Sequence, residues 1–519
     1  MAEGLTYYRI LLPLRLRWNP TYSFNGTLRR GERVRVTFAK REYVGVVLGT
    51  VPVPDISPER ILPLTGPIDG LPDITDEELQ LWEFISSYYM CPEGEVYKAA
   101  YPAFKTQSEI VSARRAVRNG DTETSAAQMH IRLRTSPKPE VIVGFNRLPF
   151  YINAIRDTLS QGRSALVLVS ETSVGENIGR SLERTFSGSV MPFNFKLTPA
   201  KRRKVAEALR DTTSPELVIG TRSALFLPFR DLGLVIVDEE QDATYKQTEP
   251  APRYNARDLA IKLAQIHDAA AVLGSCCPSM ETELNIRNGK YTRLDTPEKG
   301  APVEVIDTSE EMRKQGMRGY FSLKMLSGLK NAGRILIVRG WEKEDELAGQ
   351  CRSLLPSSHV DILTAGAART SSCVYDCVAV MQADAFSDSG DFRSDERLLQ
   401  LLLSISERAP RMIVQTSRGS HPLFNALRSG HTDESMLKER ADFNLPPFRR
   451  IVDIKAGAFS DEFARLLPVE HIRKGDTIRI SLPRSAAASS IKNSIFELAG
   501  NFEKRFSGKA HIIFDVDPV

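Results

Sequence analysis

Six cysteines in 519 residues, at positions 91, 276, 277, 351, 373 and 377, never repeat a Cys-x-x-Cys pair. That spacing supports neither a disulfide framework nor a four-thiolate zinc site, so zinc is not expected. Cys373 and Cys377 are at most half a metal site, because no second pair follows and Val374 and Val378 set them in an apolar strand. No run of about 18 apolar residues occurs. Met1 to Leu5 show no basic segment leading into an apolar one, so a cytoplasmic protein with no membrane partner is expected. No internal repeat at solenoid periods is found. The most telling absence is chemical: no Gly-x-x-x-x-Gly-Lys-[Ser/Thr] loop, the usual cradle for a triphosphate, occurs anywhere in the chain.

What is present is ordinary for a folded protein, with 42% hydrophobic and 26% charged residues, and the length exceeds what one hydrophobic core supports. The net charge of +4 is uneven, since residues 1–50 carry nine arginines and lysines against three glutamates, a local +6. There Arg33-Val34-Arg35-Val36 and Tyr43-Val44-Gly45-Val46 alternate as in a small twisted sheet with one apolar and one cationic face. Such a face suits phosphates, or the arginines merely solvate the outside of a β-barrel.

The texture along the chain predicts a multidomain α/β protein. A small β-rich module (1–105) contains a helix over Asp76 to Tyr89, and a polar linker (106–138) follows. Two doubly wound α/β lobes come next. The first (139–300) has strands at Val141 to Val143, Ala165 to Val169, Leu217 to Gly220, Leu234 to Val237 and Ala271 to Gly274. The second (301–440) has strands at Ile335 to Val338, Val360 to Leu363, Tyr375 to Met381 and Met412 to Gln415. A C-terminal α+β domain (441–519) carries a long helix over Ile491 to Phe506.

Val235-Ile236-Val237-Asp238-Glu239-Glu240 is a run of β-formers ending in acids. It has the shape of a Walker B element, which brings carboxylates to the carboxyl edge of a parallel sheet where nucleotide and Mg²⁺ bind. With the loop Gln241 to Asp258, the segment Gly220-Thr221-Arg222-Ser223-Ala224-Leu225-Phe226, and Gly274-Ser275-Cys276-Cys277-Pro278-Ser279, the chain resembles the bacterial PriA family, which restarts stalled replication forks. Tyr88 to Pro102 resembles the end of that family's 3′-DNA-end-binding domain. Asp391 to Arg411 is similar to its motif VI region, Leu445-Pro446-Pro447-Phe448 to the start of its C-terminal domain, and Asp515 to Pro518 to its final strand.

The departures bear on function. Where the family has Gly-x-Thr-Gly-Ser-Gly-Lys-Thr, this chain has Gly144-Phe145-Asn146-Arg147-Leu148-Pro149-Phe150, with no lysine for the phosphates and no hydroxyl for Mg²⁺. Where motif VI has Gln-x-x-Gly-Arg-x-Gly-Arg, it has Ser404-Ile405-Ser406-Glu407-Arg408-Ala409-Pro410-Arg411, keeping arginines and losing glycines. The zinc insertion that normally follows Arg339-Gly340-Trp341 is missing.

Three readings follow. The chain has lost helicase catalysis and keeps DNA recognition and partner docking; or it hydrolyses ATP with Mg²⁺ through a rebuilt site, Arg147 standing in for the lysine; or it is an interaction scaffold. Under the first, Asp238, Glu239, Arg408 and Arg411 are vestigial, and the acids accept hydrogen bonds from neighbouring loops, Arg408 and Arg411 among the donors. The resemblance implies a 3′-terminal pocket at Tyr22, Ser23 and Arg60, with Ser23 replacing an acid and Ala39 a glycine; otherwise Tyr22 packs in a barrel core. Arg222, Tyr245, Lys246, Arg253, Tyr254 and Arg257 are the other DNA-contact candidates, by stacking and phosphate contact. Alternatively, Arg257 and Asp258 cap a helix. The expected partners are forked or single-stranded DNA and primosome or single-strand-binding proteins. The chain itself is expected to be a bacterial, nucleoid-associated monomer.

Overall fold

Val235 and Val237 turn to one face of their strand and Leu234 and Ile236 to the other, and all four are buried, as in a strand covered on both sides. The strand, Leu232–Asp238, lies at the centre of a seven-stranded sheet in a computed structural model of the chain. The described residues are 5–54, 56–101, 138–170, 173–186, 190–193, 197–210, 214–297, 300–371, 373–387, 390–429, 434–485, 487–506 and 509–519. All but Lys138 of the linker expected at 106–138 lies outside them.

Across that sheet the order is Thr292–Asp295, Glu140–Val143, Ala270–Ser275, Leu232–Asp238, Ser164–Leu168, Leu217–Gly220 and Val190–Phe193, every pair parallel. The helix Leu148–Ser160 covers one face through Tyr151 and Ile155. The other face packs on the helix Ala256–Ile266 and on residues of the N- and C-terminal units. A second parallel sheet of five strands has the order Val303–Asp307, Met412–Thr416, Cys377–Val380, Arg334–Val338 and His359–Leu363. Both sheets therefore present their carboxyl edges as loop platforms. The N-terminal unit is a five-stranded antiparallel sheet followed by the helices Asp76–Tyr89 and Glu93–Ala100. The first of these helices opens on a capping box between Thr75 and Glu78. The C-terminal unit is a four-stranded antiparallel sheet with the helix Ala487–Arg505.

The α/β reading with its β-rich start and α+β end is the observed architecture. The sequence reading missed the strands Val190–Phe193, Thr292–Asp295 and Val303–Asp307, which lie at sheet edges; the first is four residues interrupted by Pro192 and the other two mix apolar with charged residues. The cationic sheet face is also partly internal. Arg33 is only 2% exposed, its guanidinium lying 4.3 Å from the Tyr101 ring centroid. No described helix is long and apolar enough to cross a membrane.

The two ends of the chain meet. Arg17 donates to Glu503 at 2.7 Å and to the Ile512 carbonyl at 2.8 Å, while Arg15 reaches Glu503 at 3.3 Å. Burial alone would raise the Glu503 carboxyl, but Arg17, the Ile512 amide and Arg15 hold it below its ordinary range. A depressed carboxyl stabilises the fold above the unfolded-state titration range, and that contribution is lost as pH falls through the folded value. Glu503→Ala is therefore expected to lower stability by about 2 kcal/mol near neutrality. The difference from the parent should shrink when melting is followed below about pH 4.

Candidate functional site

Strand Glu140–Val143 lies one strand removed from Leu232–Asp238, with Ala270–Ser275 between them, so the loop after Val143 and the acids after Val237 open onto one crevice. Gly144 turns the chain at φ +122, and a Cβ there would meet Thr296 Oγ1 at 2.2 Å. Asn146 takes a left-handed conformation, which its short polar side chain tolerates. The helix Leu148–Ser160 then begins with Pro149 in its first turn, which removes one of the amides an anion would use.

Into this crevice comes Arg147. Its Nε and Nη2 donate to Asp238 Oδ1 at 3.3 and 3.2 Å, Nη2 also donates to Glu239 Oε1, and Nη1 donates to the Gly144 carbonyl at 2.6 Å. Tyr151 Oη adds a 2.7 Å hydrogen bond to the same Asp238 oxygen. It reaches there because residue 274 is glycine; a Cβ at that position would lie 1.6 Å from the hydroxyl. Gln241 donates to Glu239 Oε2 at 2.5 Å and accepts from Ser275 Oγ at 2.6 Å. Arg147 and Asp238 are both buried. Burial works against the Arg147 charge, but Glu239 and then Asp238 hold it firmly protonated. Burial also raises the Glu239 carboxyl, which Arg147 opposes and Asp238 reinforces. The chemistry of this arrangement is that of an internal ion-pair cluster. A Mg²⁺-bound triphosphate does not fit it, since Asp238 Oδ1 and both Glu239 oxygens already hold a guanidinium, a phenol and an amide.

The sequence reading expected Arg408 and Arg411 as donors to these acids. Arg408 instead donates to the Arg369 carbonyl at 2.7 Å and Arg411 to the Gly328 carbonyl, so the lobe that carries the acids supplies their cation itself. Glu407 faces the cluster from the second lobe. The residue keeps an exposed surface, but crowding of its carboxyl by the surrounding protein, and then the charge of Glu239, push that group up to about 7.

The aromatic and basic loop is likewise internal. The Tyr245 hydroxyl donates to the Asp238 carbonyl at 2.6 Å within the core, and Tyr254 is buried edge-on to Phe226 at 5.5 Å. Lys246 Nζ, buried, donates to the Arg253 and Val516 carbonyls at 2.8 and 2.6 Å and pairs with Asp515 at 2.8 Å. Arg253 pairs with Glu249, and Arg222 donates to the Lys246 carbonyl at 2.9 Å. Arg257 donates to Ser279 Oγ at 2.7 Å, Glu240 at 3.2 Å and Asp258 at 2.8 Å. Rings and cations with these partners cannot stack on bases or track phosphates without leaving their places. The expectation of a DNA surface at Tyr245, Lys246, Arg253, Tyr254 and Arg257 is corrected to an internal strut, fastened at Lys246 to the C-terminal sheet. Glu240, which no sequence argument singled out, is its fully buried anchor, accepting from the Ser279 amide and from the hydroxyls of Ser279 and Thr282 at 2.7 to 3.0 Å. Beside the strut lies a cleft of about 320 Å³ whose lining includes two ion pairs, Asp242 with Arg369 at 2.6 Å and Glu281 with Arg393 at 3.4 Å.

In the N-terminal unit Tyr22 takes the barrel-core alternative. It is 3% exposed and donates to the Thr37 carbonyl at 2.9 Å, so it offers no face to a terminal base. Ser23 is clipped by its backbone to Leu62 and Leu64, just beyond the exposed Arg60. The exposed aromatic is Trp18, half accessible, its ring 6.3 Å from Phe38, whose strand partner is Arg41. Trp18 falls in a loop with no periodic pattern, where sequence reasoning had no handle.

Residues 9–102 match the family model described as the PriA 3'DNA-binding domain (3'BD). The replication restart protein PriA of Rickettsia conorii is 24% identical over a 598-residue alignment covering 92% of this chain and 90% of that protein. That of Rickettsia felis is 32% identical over 321 residues, 59% of this chain and 48% of the relative, so the chain spans about half the length of this relative. Among solved structures, RecG bound to a three-way DNA junction overlaps 73% of this chain and 46% of that chain at 13% identity and a TM-score of 0.34, a likeness too slight to argue from. Two parallel α/β lobes with acids on the carboxyl edge of one of them define a helicase-like protein. The N-terminal match and the relatives of one name aligned over nearly its whole length make the chain similar to the replication restart proteins PriA.

Two outcomes are expected at the crevice. A carboxyl raised in the fold keeps its proton between the ordinary carboxylate range and about pH 7, so stability falls as pH rises through that window. Glu407→Gln should flatten this slope and melt higher than the parent at pH 8. Glu240→Ala, which takes from Arg257 one of its two carboxylates and removes the acceptor of three other buried donors, should cost about 3 to 5 kcal/mol, measured by urea denaturation.

Proposed function

We propose that this chain acts in replication restart by binding forked or single-stranded DNA through its N-terminal unit and docking primosome or single-strand-binding proteins, without helicase catalysis. The DNA half of this reading is carried by the match of residues 9–102 to a 3'DNA-binding domain. Lys40, Arg41 and Arg60 there are exposed, and their side chains make no hydrogen bond or ion pair among the described residues, which leaves them available to phosphates. Trp18 supplies an accessible ring for stacking on a base of any sequence. The loss of catalysis is supported by the Arg147 cluster, because an engine that needs Mg²⁺ and triphosphate at Asp238 has a guanidinium there. The site residues that bear on function under this reading are thus Trp18, Lys40, Arg41 and Arg60. Asp238, Glu239, Arg408 and Arg411 serve the fold.

The test is ATP hydrolysis by the purified chain with and without a forked DNA bearing a 3′ end, using Asp238→Asn as control, beside fork binding across a salt series. Salt-sensitive binding with no fork-stimulated turnover is expected. Trp18→Ala should weaken binding about tenfold or more, whatever the sequence of the fork. Removing Lys40 or Arg41 should reduce the log-log salt slope by about 1 each. Turnover that the control abolishes would restore the helicase; salt-independent fork binding would favour a scaffold.

A further inference from the structure

Paired carboxylates at the end of a buried strand need a positive charge, and in this fold class a metal ion supplies it. Here Asp238 Oδ1 takes three donors, two from Arg147 and one from Tyr151, and both Glu239 oxygens are engaged, by Arg147 and Gln241. The consequences reach across the lobe joint. Phe145, two residues before Arg147, packs against the apolar core of the second lobe, and Cys276, Cys277 and Met280 of the first lobe are members of that core. The Met280 amide donates to Glu396 at 2.9 Å, and Glu396 in turn holds Arg440 at 2.7 Å. Asp242, four residues beyond Asp238, pairs with Arg369 of the second lobe, whose carbonyl Arg408 secures.

We propose that Arg147 is a built-in counter-ion for the Asp238–Glu239 pair, standing where this fold class puts a metal ion, so that the lobe joint closes without metal or nucleotide. This inference rests on the reading that helicase catalysis is lost. The same loop that would have bound phosphate now delivers the guanidinium to the acids and Phe145 to the opposing lobe, coupling charge neutralisation to closure. The guanidinium is also the better internal partner than an ammonium, because its planar fork meets two carboxylates and a carbonyl at once.

Thermal melting of the full chain tests this, run with no addition, with Mg²⁺ and a non-hydrolysable ATP analogue, and with Mn²⁺ against sodium chloride of equal ionic strength. The parent should melt at one temperature under all of these conditions. Arg147→Ala should melt several degrees lower and recover part of the loss in millimolar Mn²⁺ but not in sodium chloride, since its freed carboxylates form an oxygen-ligand site. Arg147→Lys, which keeps a charge without the fork, should fall between the two and ignore Mn²⁺; it carries the test if the alanine variant does not fold. Stabilisation of the parent by Mg²⁺ and the analogue would overturn the inference. So would an alanine variant that melts with the parent, or one that melts lower and is indifferent to Mn²⁺, or a lysine variant that melts with the parent. A parent silent in the ATPase assay, combined with an indifferent alanine variant, would sink this inference alone. ATP turnover by the parent would sink the reading beneath it as well.

Discussion

Two carboxylates buried side by side cannot both stay charged unless a cation is held against them, and the architecture around Asp238 and Glu239 is arranged by that requirement. Gly144 turns the chain, Asn146 accepts a left-handed conformation, residue 274 has no side chain, and the Tyr151 hydroxyl reaches inward. Each of these brings a donor within reach of the acids. In place of a glycine-rich phosphate loop, the loop after Val143 holds an internal salt bridge to the acids.

That change also accounts for the loop beyond the acids. Tyr245, Lys246, Arg253, Tyr254 and Arg257 have the composition of a nucleic-acid surface and the positions of core and interface residues. Their hydrogen bonds join the central sheet to the helix Ala256–Ile266 and, through Lys246, to the C-terminal sheet. Cationic and aromatic side chains are good at fastening polar chain segments together out of water, because they combine donors with apolar area. Composition alone does not tell such a strut from a binding surface.

The α/β lobes were legible because buried parallel strands leave unbroken apolar runs, as at Leu234 to Val237, and the acids closing that run marked the carboxyl edge correctly. The departures at Gly144 to Phe150 and at Glu407 to Arg411 were legible as missing chemistry. Which arginine would answer the acids was not, because Arg147 lies 91 residues from Asp238 in sequence and meets it only through sheet order. Arg408 and Arg411 carried equal formal charge and lost to geometry. Tyr22 was undecidable from alternation, since a strand in a small barrel uses the same pattern whether its ring faces a core or a ligand. Glu240 was overlooked because a third acid after an apolar run looks like the start of a solvated loop, yet it points inward to four donors.

The meeting of the first unit with the last, through Arg15, Arg17 and Glu503 and through Lys492 on the Tyr88 carbonyl, has a bearing on how the chain comes to be folded. On a ribosome Arg17 emerges 486 residues before Glu503, the helix residue that pairs with it. Through that interval the apolar flank shared by Trp82, Tyr89 and the first lobe has no lid from Ile495, Ala499 and Phe502. The apolar side chains of that flank therefore stay uncovered until the helix Ala487–Arg505 has emerged to pack on them.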